Sequence, residues 1–184
     1  MGVIMLWNSS KELVDTGLDE QPIQEIMARI QNVDGVKAVH QLRTRLAGGT
    51  ILGDLHVQVD SWITVSEGHY IADQVYAELT DSGLDISDVL VHIDAEDDQH
   101  DIRTAKLPNR KTIETRLESC YQHLPGAENI RKINLHYLSG QLYVELVLPT
   151  LLLSQHSAET LTVQYQQAIS VITEIAGIRL YFSV

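Results

Sequence analysis

An order of helical and strand patterns that occurs twice constrains the fold of this 184-residue chain most strongly. The first occurrence begins with a predicted helix over residues 22–30, whose apolar residues recur every three or four positions. Two strand patterns follow on either side of Gly48-Gly49, and then a helix that Thr64 or Ser66 can cap. A third strand pattern over residues 89–93 completes a predicted αββαβ unit.

The same order returns after an acidic stretch over residues 95–103, which we interpret as a linker. A helix carries Ile113 and Leu117 on one face, and strands over residues 130–138 and 142–148 pair about Ser139-Gly140. A helix over residues 158–175 and a strand over residues 178–184 follow. The chain is therefore predicted to be an α+β protein with two tandem αββαβ units.

The two halves can be aligned as a degenerate internal repeat, because the order of elements agrees although few residues are identical. The alignment runs through Gly35 and Gly126 and sets residues 55–59 against residues 144–148. We interpret the repeat as an old duplication of one unit.

The charge of the chain favours cations as ligands. Its 13 basic and 25 acidic residues give a formal net charge of −12, which repels nucleic acid and anionic membranes. The single cysteine, Cys120, excludes an intramolecular disulfide and a multi-cysteine zinc site, and it suits a reducing compartment. No apolar stretch approaches the roughly 20 residues that span a bilayer. Residues 1–7 are read equally as the end of a membrane helix or as a frayed helix.

Histidines lie at the edges of the predicted elements of the first unit. His92 and Asp94 alternate on one strand, so their side chains point to the same face and could bind one ion together. Imidazole with carboxylate suits zinc, with iron, manganese, cadmium and cobalt as open alternatives. Taken singly, each histidine is more often a surface or packed residue than a ligand.

Several runs in the first half resemble, in order and spacing, the cytoplasmic C-terminal domain of the cation diffusion facilitator (cation efflux) family. They include Gly35-Val-Lys-Ala-Val-His-Gln-Leu-Arg-Thr-Arg45, Asp54-Leu-His-Val57 and Val91-His-Ile-Asp94. The resemblance covers residues 10–96 and is closest to the bacterial zinc and iron efflux members.

The resemblance implies a ferredoxin-like (metallochaperone-like) unit that pairs two chains beneath a membrane domain, on the cytoplasmic side of the plasma membrane. It implies that regulatory zinc binds at the chain interface, and that Asp15 lies at the junction with the membrane helices. Two arginines on the first strand, Arg43 and Arg45, are expected to form interface salt bridges. The metal ligands that the resemblance implies are His40, His56, His69, His92 and Asp94.

The expected function is therefore metal sensing and homodimerisation in a transporter, with the membrane domain of that transporter as a partner. Rising metal would fill the site, neutralise carboxylates and draw two acidic subunits together. The expected division is a lead-in over residues 1–20, a cation efflux domain over 21–96, a linker over 97–106 and a second unit over 107–184.

The second unit lies beyond the resemblance and is expected to lack a metal site. In the repeat alignment the positions of His40, His56, His92 and Asp94 are taken by other residues, and we interpret the unit as a pairing or regulatory module. These residues are Arg131, Glu145, Tyr181 and Ser183.

Two other functional classes compete with metal sensing. A metal-independent dimerisation domain would keep the histidines only as surface residues. A small hydrolase is disfavoured, because the sequence has no Gly-rich phosphate loop and no nucleophile elbow, and Cys120 lies on a helix face. The chain is therefore not expected to be an enzyme.

Overall fold

The computed structural model describes residues 18, 20–47, 50–81, 83, 85–97 and 104–184. The chain divides into two compact units, Met1–Asp97 and Asp98–Val184, each with its own hydrophobic core. The membrane-helix interpretation of residues 1–7, the predicted turn at Gly48-Gly49 and Asp15 lie outside the described residues.

The first unit has the predicted αββαβ order. Helix α1 spans Glu20–Gln31, strand β1 Ala38–Ala47, strand β2 Thr50–Gln58, helix α2 Val65–Thr80 and strand β3 Ile86–Asp94. In the sheet, β2 lies between β1 and β3, antiparallel to β1 and parallel to β3. The prediction of this unit is confirmed.

Helix α2 and strand β2 show why the helices cover one face of this sheet. The Thr64 side chain accepts a hydrogen bond from the Glu67 backbone N–H, which caps α2, and the apolar residues of α2 recur every four positions. Leu55 and Val57, which alternate along β2, are fully buried in the core with them. The residues between them therefore lie on the opposite face of the sheet, which carries the candidate site.

A β-bulge in β1 decides which residues of that strand reach the opposite face. His40 pairs with His56 and Arg43 pairs with Asp54, so two residues of β1 oppose the single Leu55. The bulged Gln41 has φ 47°, a left-handed conformation that is rare for a residue other than glycine. In an unbulged ladder Gln41 would oppose His56, and His40 would turn toward the core.

The second unit repeats the order αββαβ. Its elements are α3 Arg110–Tyr121, β4 Lys132–Leu138, β5 Gln141–Pro149, α4 Ala158–Ile169 and β6 Ile175–Ser183, with short 3-10 turns between them. Strand β5 lies between β4 and β6, antiparallel to β4 and parallel to β6. The α+β class with two tandem ferredoxin-like units is therefore confirmed.

One boundary in the second unit was predicted wrongly. The helix expected to reach residue 175 ends at Ile169, and Ser170 closes it by donating its backbone N–H to the carbonyl of Gln167. The turn that follows contains Val171 and Ile172, which are β-branched and fit poorly in a helix. Ile175 instead begins β6 and pairs with Leu142 of β5.

We predict that Gln41→Gly stabilises the first unit by roughly 0.5–1 kcal/mol. Glycine removes the cost of a side chain at positive φ, which is about 1–2 kcal/mol, against a smaller loss of chain entropy. Urea unfolding followed by tryptophan fluorescence measures it, because both tryptophans belong to Met1–Asp97. The exposed Gln74, which lies in helix α2 of the same unit and has no positive φ, provides the matched Gln→Gly control and should lose stability. A loss of stability at Gln41 as well would contradict the bulge geometry.

Candidate metal centre

The uncovered face of the first sheet brings two histidines side by side. His56 of β2 and His92 of β3 are partners in the parallel ladder, and their rings stack with centroids 4.5 Å apart and planes 15° apart. Both point away from the helices, because Leu55 and Val57 on either side of His56 are buried. The sheet therefore holds two imidazoles in a fixed relation before any ligand arrives.

A carboxylate that was not among the predicted metal ligands completes the cluster. Asp54 lies two residues before His56 on the same face, and its Oδ1 is 3.2 Å from Nε2 of His92. One ligand atom from each of Asp54, His56 and His92 can be chosen so that all three lie within 4.8 Å of one another. These three residues are called the Asp54 cluster below.

The environment of Asp54 suits a cation. Its Oδ1 is buried and accepts no hydrogen bond within the described part of the chain, and its nearest opposite charge is the ring of His92 when that ring is protonated. A buried carboxylate oxygen without a donor is costly, and a metal ion or a proton on His92 removes the cost. The donor set of two imidazoles and a carboxylate fits zinc and its first-row neighbours.

A second carboxylate flanks the histidine pair on the other side. Asp94 Oδ2 lies 2.9 Å from Nδ1 of His56, within hydrogen-bond distance. In the ladder Asp94 pairs with Gln58, which lies two residues after His56. Asp54 and Asp94 therefore lie on opposite sides of the histidine pair along the strands. This contact engages Nδ1 of His56 and leaves Nε2 as the other possible ligand atom.

The remaining predicted ligands lie outside this cluster. The bulge brings His40 opposite His56, but Nε2 of His40 is 3.3 Å from the Gln58 side-chain oxygen. His69 is exposed near the start of α2, 3.7 Å from Asp73. It lines a groove of about 460 Å³ together with His92.

The two arginines that were expected at an interface border the Asp54 cluster. Arg43 lies opposite Asp54 and Arg45 opposite Leu52 in the ladder. Both line a groove of about 500 Å³ with Asp54, Asp88 and the apolar Leu52 and Leu90.

Charge is distributed unequally between the two units. Residues 1–97 contain 17 acidic and 5 basic residues, whereas residues 98–184 contain 8 of each. The whole formal charge of −12 thus belongs to the unit that carries the Asp54 cluster. An excess of negative charge raises the local concentration of cations at such a surface.

The second unit corrects the repeat alignment. In both units the parallel ladder shifts at the same step, between Ile51 and Leu52 in one and between Leu142 and Tyr143 in the other. Aligned through this shift, Glu145 takes the position of Asp54, not of His56 as the sequence alignment had it. By the same registers Val147 corresponds to His56, and Lys132 rather than Arg131 corresponds to His40. Tyr181 still corresponds to His92, and Ser183 still corresponds to Asp94.

Glu145 differs from Asp54 because its own unit satisfies it. Asn134 Nδ2 donates to Glu145 Oε2 at 3.0 Å, Nε2 of His136 lies 3.3 Å from the same oxygen, and the Tyr181 hydroxyl donates to Oε1 at 3.3 Å. Burial raises the pKa of Glu145, but these partners outweigh burial and leave the pKa below its ordinary value. The second unit thus keeps the carboxylate and surrounds it with hydrogen-bond partners.

Comparison with known proteins places the first unit in a family. The family described as cation efflux protein, cytoplasmic domain, matches residues 18–96. The first unit is a cation efflux protein cytoplasmic domain.

Curated relatives agree with this family. Metal tolerance protein 2 of Oryza sativa subsp. japonica is 37% identical over 92 residues, which is 50% of this chain and 24% of the relative. Metal tolerance protein C1 of Arabidopsis thaliana is 36% identical over 83 residues, 45% of this chain and 18% of the relative. Cation-efflux pump FieF of Shigella flexneri is 30% identical over 90 residues, 49% of this chain and 30% of the relative. The chain therefore spans less than a third of the length of these relatives.

A manganese form of the MamM CTD is 31% identical to this chain, with a TM-score of 0.41. The match covers 42% of this chain and 98% of that structure.

The family of the cation efflux domain is described as part of an efflux protein, not as an enzyme. Within the described ranges, no helix has the length and apolar character needed to cross a membrane.

We predict that Glu145→Gln destabilises the second unit at pH 7 by about 1–2 kcal/mol, because hydrogen bonds to a charged group are lost. The folded-state pKa of Glu145 is lowered, so its contribution is complete above the unfolded pKa and is lost as pH falls through the folded pKa. The difference between wild type and variant should therefore shrink below about pH 4.5.

Thermal unfolding followed by tyrosine near-UV circular dichroism measures this difference, and exposed Glu118→Gln is the control. A difference that did not change between pH 7 and pH 4 would contradict the role given to the carboxylate.

Proposed function

We propose that the cation efflux domain binds a divalent metal ion at the Asp54 cluster and that this binding regulates efflux by joining two copies of the chain. The single observation that carries the proposal is the convergence of Asp54, His56 and His92, with ligand atoms within 4.8 Å, around a buried carboxylate oxygen that lacks a donor. The family match supports it, because the family is one of cation efflux proteins.

Zinc fits this donor set best. Two imidazoles and one carboxylate give three protein ligands, and a four-coordinate ion then keeps one open position. Iron, manganese, cadmium and cobalt also accept nitrogen and oxygen donors and remain the alternatives. The manganese form of the similar MamM CTD is consistent with such a range.

The open position suggests that a second copy takes part. The Asp54 cluster lies on an exposed sheet face, and the side chains of Asp54 and His92 are each 44% exposed. We propose that a homodimer closes over this face, with His40 and His69 as additional ligands available to the shared site. Asp94 belongs to the same proposed site.

Electrostatics explains how the ion would shift the dimer equilibrium. Two domains that each carry a formal charge of −12 repel, and Asp54 and Asp88 lie on the face that would approach its copy. A divalent ion held by both copies lowers this repulsion only in the closed state, which is the differential affinity that a population shift requires. Arg43 and Arg45 beside the same groove are proposed to pair with carboxylates of the second copy.

Regulation would reach the transporter through the chain that precedes the domain. We propose that the domain lies on the cytoplasmic side of the plasma membrane, attached to the membrane domain of the same transporter, with Asp15 at the junction. The chain spans less than a third of the length of its curated relatives, and efflux is the activity that we propose for the whole transporter.

A metal-independent dimerisation domain is the second candidate, and one observation favours it. Leu90 is 58% exposed and lies opposite Asp54 in the ladder, beside Leu52 in the same groove. Apolar side chains on an exposed face can associate without an ion. This candidate predicts no change in association state or melting temperature on addition of zinc.

We predict that zinc titration by calorimetry gives binding to the wild-type chain that falls at least 100-fold in the double variant Asp54→Asn plus His92→Ala, because two ligands are lost. His123→Ala is the matched control, since His123 is an exposed histidine of the second unit. Equal affinities for wild type and double variant would refute the site, and absence of binding in both would leave the metal-independent alternative.

We also predict that zinc affinity falls roughly 100-fold between pH 7.5 and pH 5.5. Zinc must compete with protons on two imidazoles, and in the pH range in which an imidazole ordinarily takes up its proton each competition lowers the affinity by up to about tenfold for every pH unit. Zinc calorimetry in buffers matched for ionisation enthalpy measures this change. Affinity that stays constant across the range would exclude histidine ligation.

A further inference from the structure

The open face of the sheet in the second unit is a regular grid of side chains. Every second residue of β5 from Leu142 to Leu148 is buried in the core, so the residues between them point to the other face. The two ladders add one residue of β4 and one residue of β6 to each row of this face. The rows, each in the order β4, β5, β6, are His136, Tyr143 and Gly177; Asn134, Glu145 and Arg179; and Lys132, Val147 and Tyr181.

Three large side chains of the grid are held in place by their own unit. The Tyr181 hydroxyl donates to Glu145 Oε1, and Arg179 Nη1 lies 4.0 Å from the same oxygen. A Cβ at Gly177 would lie 3.6 Å from Cδ1 of Tyr143, so the Tyr143 ring lies against the glycine backbone. Side chains that are fixed before association lose less conformational entropy when a partner packs on them.

Two of these fixed side chains are also accessible to a partner. The Arg179 side chain is 54% exposed and Tyr181 is 46% exposed, although the Glu145 side chain that they contact is only 13% exposed. Tyrosine and arginine are enriched at protein–protein interfaces, whereas lysine and acidic residues are depleted. The grid contains one carboxylate, Glu145, and one lysine, Lys132. Its composition therefore suits a protein partner.

The charge of the second unit favours a second copy of this chain as that partner. Residues 98–184 contain 8 acidic and 8 basic residues, so two second units do not repel as two acidic first units do. The face itself carries Arg179 and Lys132 against Glu145. Contact of the face with its copy brings together only a small excess of like charge, which salt screens over about 8 Å.

The size of the face sets the strength of this contact. Strand β5 has 9 residues in a three-stranded sheet. At about 3.3 Å per residue and about 4.8 Å between strands, the sheet covers roughly 400 Å². A standard interface buries about 800 Å² on each partner, so this face alone gives weak association. Once two first units are joined, both second units belong to one complex, and the weak contact becomes intramolecular.

We propose that the open face of the second unit packs against the same face of a second copy and forms a metal-independent contact of the homodimer. The inference goes beyond the proposed function, because this contact needs no ion at the first unit. Tyr143, Arg179 and Tyr181 supply its large side chains, and a two-fold axis relates the two faces. The ion at the first unit then joins domains whose chains already associate.

Sedimentation equilibrium of the full chain in EDTA, at concentrations up to about 1 mM, tests this contact. We expect wild type to associate reversibly, and Val147→Lys, which places a charge on the central strand of the face, to weaken association about tenfold or more. Val163→Lys is the matched control, because Val163 is 48% exposed on helix α4. Wild type that stays monomeric in EDTA, or association that Val147→Lys leaves unchanged, overturns the proposal.

Isotope-filtered NMR needs no variant and maps the contact directly. In a mixture of ¹³C-labelled and unlabelled wild type in EDTA, we expect NOEs between copies at the rings of Tyr143 and Tyr181. NOEs between copies that arise only from other surfaces overturn the proposal, even though the chain associates.

Zinc separates this inference from the proposed function. If wild type is monomeric in EDTA and zinc joins both wild type and Val147→Lys, the proposed function stands and the inference is wrong. If association in EDTA is lost in Val147→Lys while zinc changes nothing in wild type, the inference stands and the proposed function fails. Tyrosine near-UV circular dichroism of Val147→Lys verifies that the second unit of the variant is folded.

Discussion

The parallel pairing of β2 with β3 is the constraint on which the candidate site depends. It sets His56 directly opposite His92, and the period of two along each strand then places Asp54 and Asp94 on the same face. The burial of Leu55 and Val57 on the other face fixes this register, because a slip by one residue would turn the histidines into the core. The same hydrophobic contacts that fold the domain therefore position its ligands.

The second unit shows that the fold alone does not make the site. It has the same topology and the same ladder shift, and it keeps a carboxylate, Glu145, at the position of Asp54. That carboxylate accepts hydrogen bonds from Asn134 and Tyr181, whereas Asp54 Oδ1 accepts none within the described ranges. The first unit also carries the whole formal charge of −12, whereas the second unit is formally neutral. The capacity to attract a cation is therefore concentrated in the first unit.

The sequence predicted the order of elements in both units, since apolar spacing reports directly on the buried face of each helix and strand. It misplaced the end of α4, because Ile172 and Ile175 continue an apolar pattern that a turn and a strand share with a helix. Among the proposed ligands it indicated His56 and His92 but not Asp54, although the alternation that paired His92 with Asp94 would also have paired Asp54 with His56.

Some features could not be predicted from a single sequence. An alignment of two strands by alternation alone is equally good after a shift of two residues, which is why Glu145 was set against His56. Only the ladder shift between Ile51 and Leu52 resolves this register. Likewise, the bulge at Gln41 that turns His40 toward His56 has no glycine or asparagine to indicate it.

The central claim is that a metal ion binds on the sheet face of the first unit at Asp54, His56 and His92. Anomalous X-ray diffraction from crystals of the full chain grown with one equivalent of zinc tests it most directly, since it locates the ion without assumptions about function. The account predicts the strongest anomalous peak within coordination distance of these three side chains. Full occupancy at sites that involve none of them, with this face vacant, would contradict it.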